Sequence, residues 1–271
     1  MSILCLTLRE APAQRVDLSP LIPDRLAGKS PAEVAAIELA SGNRRLRVDE
    51  LFAITGSFAQ ELEFRSACDK LDRIGAGMTH GRIAVRGHAG AYVGADMRGG
   101  VIEVHGNVGA YAASGMHGGL LHVTRDAGDF LGAGLPGERR GMRGGTVVVG
   151  RNAGARVGDR MRRGMILIQG NAGDYCGSRM VAGTIAVAGG VGSFPGMAMR
   201  RGTLLLEQAP VELVATFNDC GEYPNAFLTL LVRSWRGLPG RFGTLPDGRV
   251  RARRYMGDLA NDGRGEILVW V

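Results

Sequence analysis

The chain has 271 residues, 45% of them apolar, and a formal net charge of +7. This is enough apolar content to bury a core, while no apolar run approaches the length of a membrane-spanning helix, so no membrane partner is expected. All but Lys29 and Lys70 of the 33 basic residues are arginine, a composition suited to forked contacts with carboxylates or phosphates.

In chain order, Ser30 is the first clear signal: it stands where it caps a helix opening at Pro31, with Glu33 at the capping-box position. Residues 1–54 read as a small α+β cap. Leu62 and Phe64 then form a degenerate unit, preceding Ile83 and Val85 by 21 residues.

From there the chain repeats. Met78, Met97, Met116, Met142, Met161, Met180 and Met199 are spaced 19, 19, 26, 19, 19 and 19 residues apart. One seven-residue insertion therefore interrupts a 19-residue period. Each methionine is followed three residues later by a glycine, Gly81 through Gly202, and then by an aliphatic pair such as Ile102/Val104 or Ile166/Ile168. Short alternating stretches with glycine punctuation are strands joined by tight turns. Stacked at about 4.8 Å per unit, they predict an all-β fold, a parallel β-solenoid over residues 55–207 with about seven coils.

Two side-chain columns accompany the repeat. His88, Asn107, Asp126, Asn152, Asn171 and Gly190 share one turn position; these residue types tolerate left-handed backbone and bond along a stack. Tyr92, Tyr111, Phe130, Tyr175 and Phe194, interrupted by Arg156, are expected to stack inside. After Leu206 the period stops, and residues 208–271 form a C-terminal extension. That extension carries helical spacing at Phe227, Leu231 and Trp235, an Asp247-Gly248 turn, and a strand-like Glu266 to Val271. Small α+β caps at both ends are expected to shield the exposed ends of the stack.

Residue chemistry points away from catalysis. No nucleophile elbow, paired carboxylates or HExxH motif appears, and the five histidines fall at different repeat positions. The cysteines Cys5, Cys68, Cys176 and Cys220 make no metal or disulfide pattern. Gly132 to Gly137 spells GxGxxG, yet Pro136 lies in the insertion rather than at a strand-to-helix turn, so no nucleotide or nucleic-acid partner is expected. Met1 to Glu10 lacks a secretory pattern, which favours the cytoplasm.

The surface feature is a basic column. Arg98, His117, Arg143, Arg162 and Arg200 follow their methionines, Arg163 and Arg201 stand beside it, and Arg160 and Arg179 just before it. With methionine inward, its strand neighbours point outward. The column is read either as an anion, carrier or partner contact formed by Arg98, Arg143, Arg162, Arg163, Arg200 and Arg201, or as a solvated face. The insertion, with Leu135, Glu138, Arg139 and Arg140, is expected to bulge out as a partner-contacting loop.

Coils of the form G-x-x-M-x-x-G-x-[IV]-x-V, such as Gly94 to Val104 and Gly177 to Val187, resemble the GxGxG domain. That domain is a right-handed parallel β-helix, which the resemblance therefore implies for residues 55–207; it occurs in the glutamate synthase large subunit and in the C subunit of formylmethanofuran dehydrogenase. The freestanding length, short N-terminal cap and tail with Arg253-Arg254 and Gly263 to Glu266 look most like that C subunit, in particular the bacterial formyltransferase/hydrolase type.

This resemblance implies a non-catalytic subunit beside an amidohydrolase-like subunit holding zinc, a molybdopterin-enzyme-like subunit and a formyltransferase subunit. It implies that formyl groups pass from formyl-tetrahydromethanopterin through a methanofuran-type carrier to formate in one-carbon oxidation. It supplies no catalytic or metal residue and no cofactor for this chain. Because such carriers bear glutamate chains, it also gives the basic column a meaning. The archaeal dehydrogenase subunit, a glutamate-synthase-like domain and an autonomous polyanion-binding module are the alternatives.

Overall fold

The computed structural model describes residues 3–246, 248 and 251–271, so of the expected Asp247-Gly248 turn only Gly248, itself in a turn, lies among the described residues. The N-terminal segment runs β1 (Ile3–Leu8), β2 (Val16–Asp17), α1 (Pro23–Leu26), α2 (Pro31–Ala35), β3 (Glu38–Ser41), β4 (Arg44–Arg47), α3 (Val48–Leu51) and β5 (Phe52–Thr55). The capping box at α2 forms as expected, with the Glu33 amide donating to Ser30 Oγ and the Ser30 amide to Glu33 Oε2.

Next come β6 (Phe58–Ala67), the short β7 (Leu71–Asp72) and the repeat strands β8 (Arg82–Gly87), β9 (Val101–His105), β10 (Leu120–Val123), β11 (Arg143–Val149), β12 (Arg163–Ile168), β13 (Thr184–Val187) and β14 (Thr203–Leu206). The tail adds β15 (Asn218–Pro224), α4 (Ala226–Ser234), β16 (Arg251–Gly257) and β17 (Gly265–Trp270).

The fold is mostly β, dominated by one mixed sheet of 13 strands in the order β15-β16-β17-β14-β13-β12-β11-β10-β9-β8-β6-β1-β5. From β8 to β14 every strand pairs in parallel with its successor, in the register the period demands: Ile83 against Ile102, Ile102 against Leu121, Leu121 against Val147. Successive units also bond elsewhere. Parallel bridges link Ala89, Val108, Ala127, Ala153, Ala172 and Val191, one to the next, and the amide after each methionine donates to the carbonyl of the methionine one unit back.

All seven methionines are fully buried, together with the aliphatic pairs. Their packing explains the glycine column. A Cβ on Gly100 would stand 2.6 Å from Met78 Cε, and one on Gly164 would stand 2.8 Å from Met142 Cε. Each methionine thus fills the space that the next unit's glycine leaves open, and each of those glycines has φ between 83° and 105°.

Three expectations need correction. The aromatic column lies outside: Tyr92, Tyr111, Phe130 and Tyr175 are half-buried and Phe194 is exposed. These rings stack on one another, Tyr111 on Phe130 at 4.7 Å and Tyr175 on Phe194 at 5.2 Å, with Arg156 over Tyr175. Inside stand their successors Val93, Ala112, Leu131, Val157 and Cys176, where burial pushes the Cys176 thiol up to about 12.

The left-handed backbone also belongs to the aromatic column, with φ of 57–62° from Tyr92 to Phe194. The Asn/Asp column does bond along the stack as expected: the Asn171 amide donates to Asn152 Oδ1, and the Gly190 amide to Asn171 Oδ1. It needs no positive φ to do so.

Finally, the pattern does not end at Leu206. β17 pairs in parallel with β14, Leu204 against Ile267, and Gly265 meets Met199 Cε as the other glycines meet theirs. At the opposite end β6 pairs with β8 and β1 with β6. The strand centres Val148, Leu167, Ala186, Leu205 and Leu268 form a second core on the outer face of the sheet, covered by Leu228, Leu231, Val232 and Trp235 of α4.

Candidate functional site

The basic column is real as a row of side chains, and the structure divides it. Arg98, Arg162 and Arg200 are exposed. Arg143 is half-buried, its Nη1 3.2 Å from His117 Nε2 and its Nε buried without a hydrogen-bond partner. Arg163 lies opposite Arg143 in the β11–β12 register.

Arg162 and Arg200 meet in one open cleft of about 410 Å³, lined also by Arg139, Arg160, Arg179, Val181, Ala198 and Asn261. Two rows build it. Arg160, Arg179 and Ala198 precede their methionines, with φ of 59°, 52° and 58°; Arg162, Val181 and Arg200 follow theirs. Because each methionine points inward, both neighbours line the outer surface. Val181 and Ala198, the short members, leave the space between the cations. Arg98, Arg143 and Arg163 do not reach this cleft, while Arg201 lines an adjoining one with Arg200, Asn261, Asp262 and Arg264.

The insertion supplies one end. Leu135 is half-buried, and Glu138, Arg139 and Arg140 are exposed. The loop is tied down by the Gly134 amide on the Asp159 carbonyl, the Gly141 amide on the Arg160 carbonyl and Arg160 Nη1 on the Glu138 carbonyl at 2.8 Å. These bonds carry Arg139 to the cleft. Asp159, almost wholly buried, accepts from Ser178 Oγ and from Arg179 Nε and Nη2 at 2.8, 2.8 and 2.6 Å.

The tail supplies the other end. The Asp258 carboxylate accepts from the Ala198 amide and from Asn261 Nδ2, both at 3.0 Å. Burial raises its pKa, but hydrogen bonds from the Ala198 and Ala260 amides and from Asn261 Nδ2 outweigh that and hold it below the usual carboxylate range.

Asn261 and Arg264 were not foreseen as part of a site. The signal for Arg264 is present in the sequence: Gly265-x-Ile267-x-Val269 repeats the unit motif, which puts Arg264 at the position of Arg201. Among the described residues no group of three or more His, Cys, Asp or Glu side chains is arranged to hold a metal ion. Half-buried His122, beside Glu103 and His105 on the sheet, has its pKa lowered by burial, which favours the neutral ring.

Fold and surface together define a mostly β repeat protein that displays arginine to solvent in an open cleft. No family model matches the chain. Over 95 residues, 34% of the chain and 35% of the relative, it is 33% identical to the C subunit of the tungsten-containing formylmethanofuran dehydrogenase 2 of Methanococcus maripaludis. Over 85 residues, 31% of the chain and 32% of the relative, it is 39% identical to the C subunit of the formyltransferase/hydrolase complex Fhc of Methylorubrum extorquens. These alignments span about a third of the curated relatives.

A solved structure extends the likeness. The crystal structure of the formyltransferase/hydrolase complex of Methylorubrum extorquens with methylofuran contains a chain 38% identical to this one, with a TM-score of 0.93 over 98% of this chain and 99% of that chain. The chain belongs to the C-subunit family of the formyltransferase/hydrolase and formylmethanofuran dehydrogenase complexes.

Proposed function

We propose that this chain is the C subunit of a formyltransferase/hydrolase complex and serves there as a structural subunit without an active site of its own. The supporting observation is the likeness over 98% and 99% of the two chains to a member of such an assembly, which takes in the N-terminal segment, the repeats and the tail alike. The complex passes formyl groups from formyl-tetrahydromethanopterin through a methanofuran-type carrier to formate. Its other members are an amidohydrolase-like subunit with zinc, a molybdopterin-enzyme-like subunit and a formyltransferase subunit, together in the cytoplasm.

Residues 55–207 are read as a right-handed parallel β-helix, since successive units bond in parallel at several positions around each turn. Arg98, Arg143, Arg162, Arg163, Arg200 and Arg201 are assigned to carrier or partner contact. The loop at Leu135, Glu138, Arg139 and Arg140 is assigned to a partner.

Purifying the tagged chain from its native host tests this. The three partner subunits are expected in fixed ratio, with formate release in the eluate and none from the chain alone. Recovery alone, or with an amidotransferase or flavin subunit, overturns it. The methanogen relatives favour a second reading, the C subunit of a formylmethanofuran dehydrogenase, which tungsten or molybdenum in the purified assembly would select.

A further inference from the structure

The N-terminal segment holds an open cleft of about 870 Å³ between the loop that follows β1 and the β3–β4 hairpin, and it shares no residue with the arginine cleft. A volume of this order suits a small organic ligand. The loop is tied down at three points. The Arg9 amide donates to the Leu51 carbonyl at 3.0 Å, Lys70 Nζ donates to the Pro12 and Ala13 carbonyls at 2.8 and 3.1 Å, and the Gln14 side-chain oxygen fills the space in which a Cβ on Gly42 would stand. The cleft is therefore built into the fold.

Register decides which side chains face it. Ser41 stands opposite Arg44 and Leu39 opposite Leu46, so these four share one face of the hairpin. Ser41 is only 6% exposed, yet it lines the cleft, and its hydroxyl bonds to no group among the described residues. Such a hydroxyl takes its hydrogen bond from what enters the cleft. Arg44 on the hairpin side and Arg9 on the loop side line it as well, and neither guanidinium has an ion-pair partner among the described residues.

The rest of the lining limits the ligand. Leu46 lies two strand residues from Arg44, about 7 Å along the hairpin, and with the buried Pro12 and Leu51 it offers an apolar surface. Glu10 and Glu50 also line the cleft, Glu50 Oε2 accepting the Arg47 amide at 3.2 Å. A second negative charge on a ligand would meet these carboxylates, while an amine would meet two guanidinium groups of its own sign. One carboxylate suits the guanidinium forks and the hydroxyl together.

We propose that this cleft binds a small monocarboxylate with an apolar body, its carboxylate held by Arg44, Arg9 and Ser41 and its body laid on Leu46, Leu51 and Pro12. The site does not depend on the assembly proposed above.

The test is a ligand-observed NMR titration of octanoate against the full chain. Saturable binding is expected, with acetate at least tenfold weaker because it lacks the body. Arg44→Gln is expected to weaken octanoate about tenfold and Ser41→Ala about fivefold, while Arg44→Lys, which keeps the charge, should stay within about threefold of the parent. Arg45→Gln removes the same charge from the other face of the hairpin, where Arg45 pairs with Glu38, and should change binding less than twofold. No saturation by the parent, or equal loss in Arg44→Gln and Arg45→Gln, overturns the proposal. So does equal affinity for acetate, which would remove the apolar body from the argument. Octylamine or the dicarboxylate suberate binding as tightly as octanoate would overturn the choice of a single carboxylate.

Discussion

Gly164 meets two obstacles to any side chain: a φ of 98° and Met142 Cε lying 2.8 Å from where a Cβ would stand. Gly164→Ala is therefore expected to cost about 2–3 kcal/mol, read from the urea midpoint. Gly77→Ala, with φ of 72° and nothing within 4 Å of the added Cβ, pays for backbone strain alone, about 1 kcal/mol. Equal losses would sink the account in which methionine and glycine fill one another's space. The spacing of both residue types was plain in the sequence, but their contact across units was not. The left-handed positions escaped notice because Tyr, Phe and Arg are residue types that seldom signal positive φ. Asp258 carries a pH dependence. Its carboxyl is held below the usual range, so it contributes stability above about pH 4 that is lost as pH falls through the folded-state value. Asp258→Asn should cost about 1–3 kcal/mol at neutral pH, with the gap from the parent closing in acid; a constant gap would contradict this.

The cover on the outer face of the sheet belongs to the scale of elements. Strand centres run Ala84, Glu103 and His122 on the open half and Val148, Leu167, Ala186 and Leu205 where α4 packs. That switch was present in the sequence as apolar residues on both faces of later strands, and of the helical set Phe227, Leu231 and Trp235 the last two help to bury them while Phe227 is exposed. Trp235→Ala removes a ring packed at 5.3 Å from Phe242 and 6.3 Å from Trp270. It should cost about 3–5 kcal/mol and expose the second core to a hydrophobic dye, while the parallel ladder keeps its circular dichroism. Collapse of the whole β signal would mean that the cover and the stack are one cooperative unit. The insertion behaves differently. Its ends are held by backbone bonds to Asp159 and Arg160, so deleting Leu135 to Arg140 should leave thermal stability within a few degrees of the parent and weaken assembly with partners. Unchanged co-purification of every partner counts against the loop as a contact. The broken period announced a loop; that it brings Arg139 beside arginines one to three units on required the folded course of the chain.

At the scale of the molecule, the long sheet carries its repeat strands in the middle and other strands at both ends. Antiparallel strands β5 and β15 form the edges of the sheet, so no repeat strand is left open for pairing with another chain. The arginines line an open cleft rather than an enclosed pocket, which sets what their loss does to a reaction carried out elsewhere in an assembly. A carrier bound through a remote charged tail is held equally in the ground state and the transition state, and such contacts lower KM without raising kcat. In the assembled complex, Arg162→Gln/Arg200→Gln should therefore raise KM for the carrier about tenfold with kcat at saturation unchanged, or loosen assembly if an acidic partner segment is the occupant. The difference from the parent should shrink at about 0.5 M salt, where screening has already removed the contribution of exposed pairs. A fall in kcat at unchanged KM, insensitive to salt, would mean that these arginines act on the reacting atoms, and the structural role proposed for the chain would fail with it.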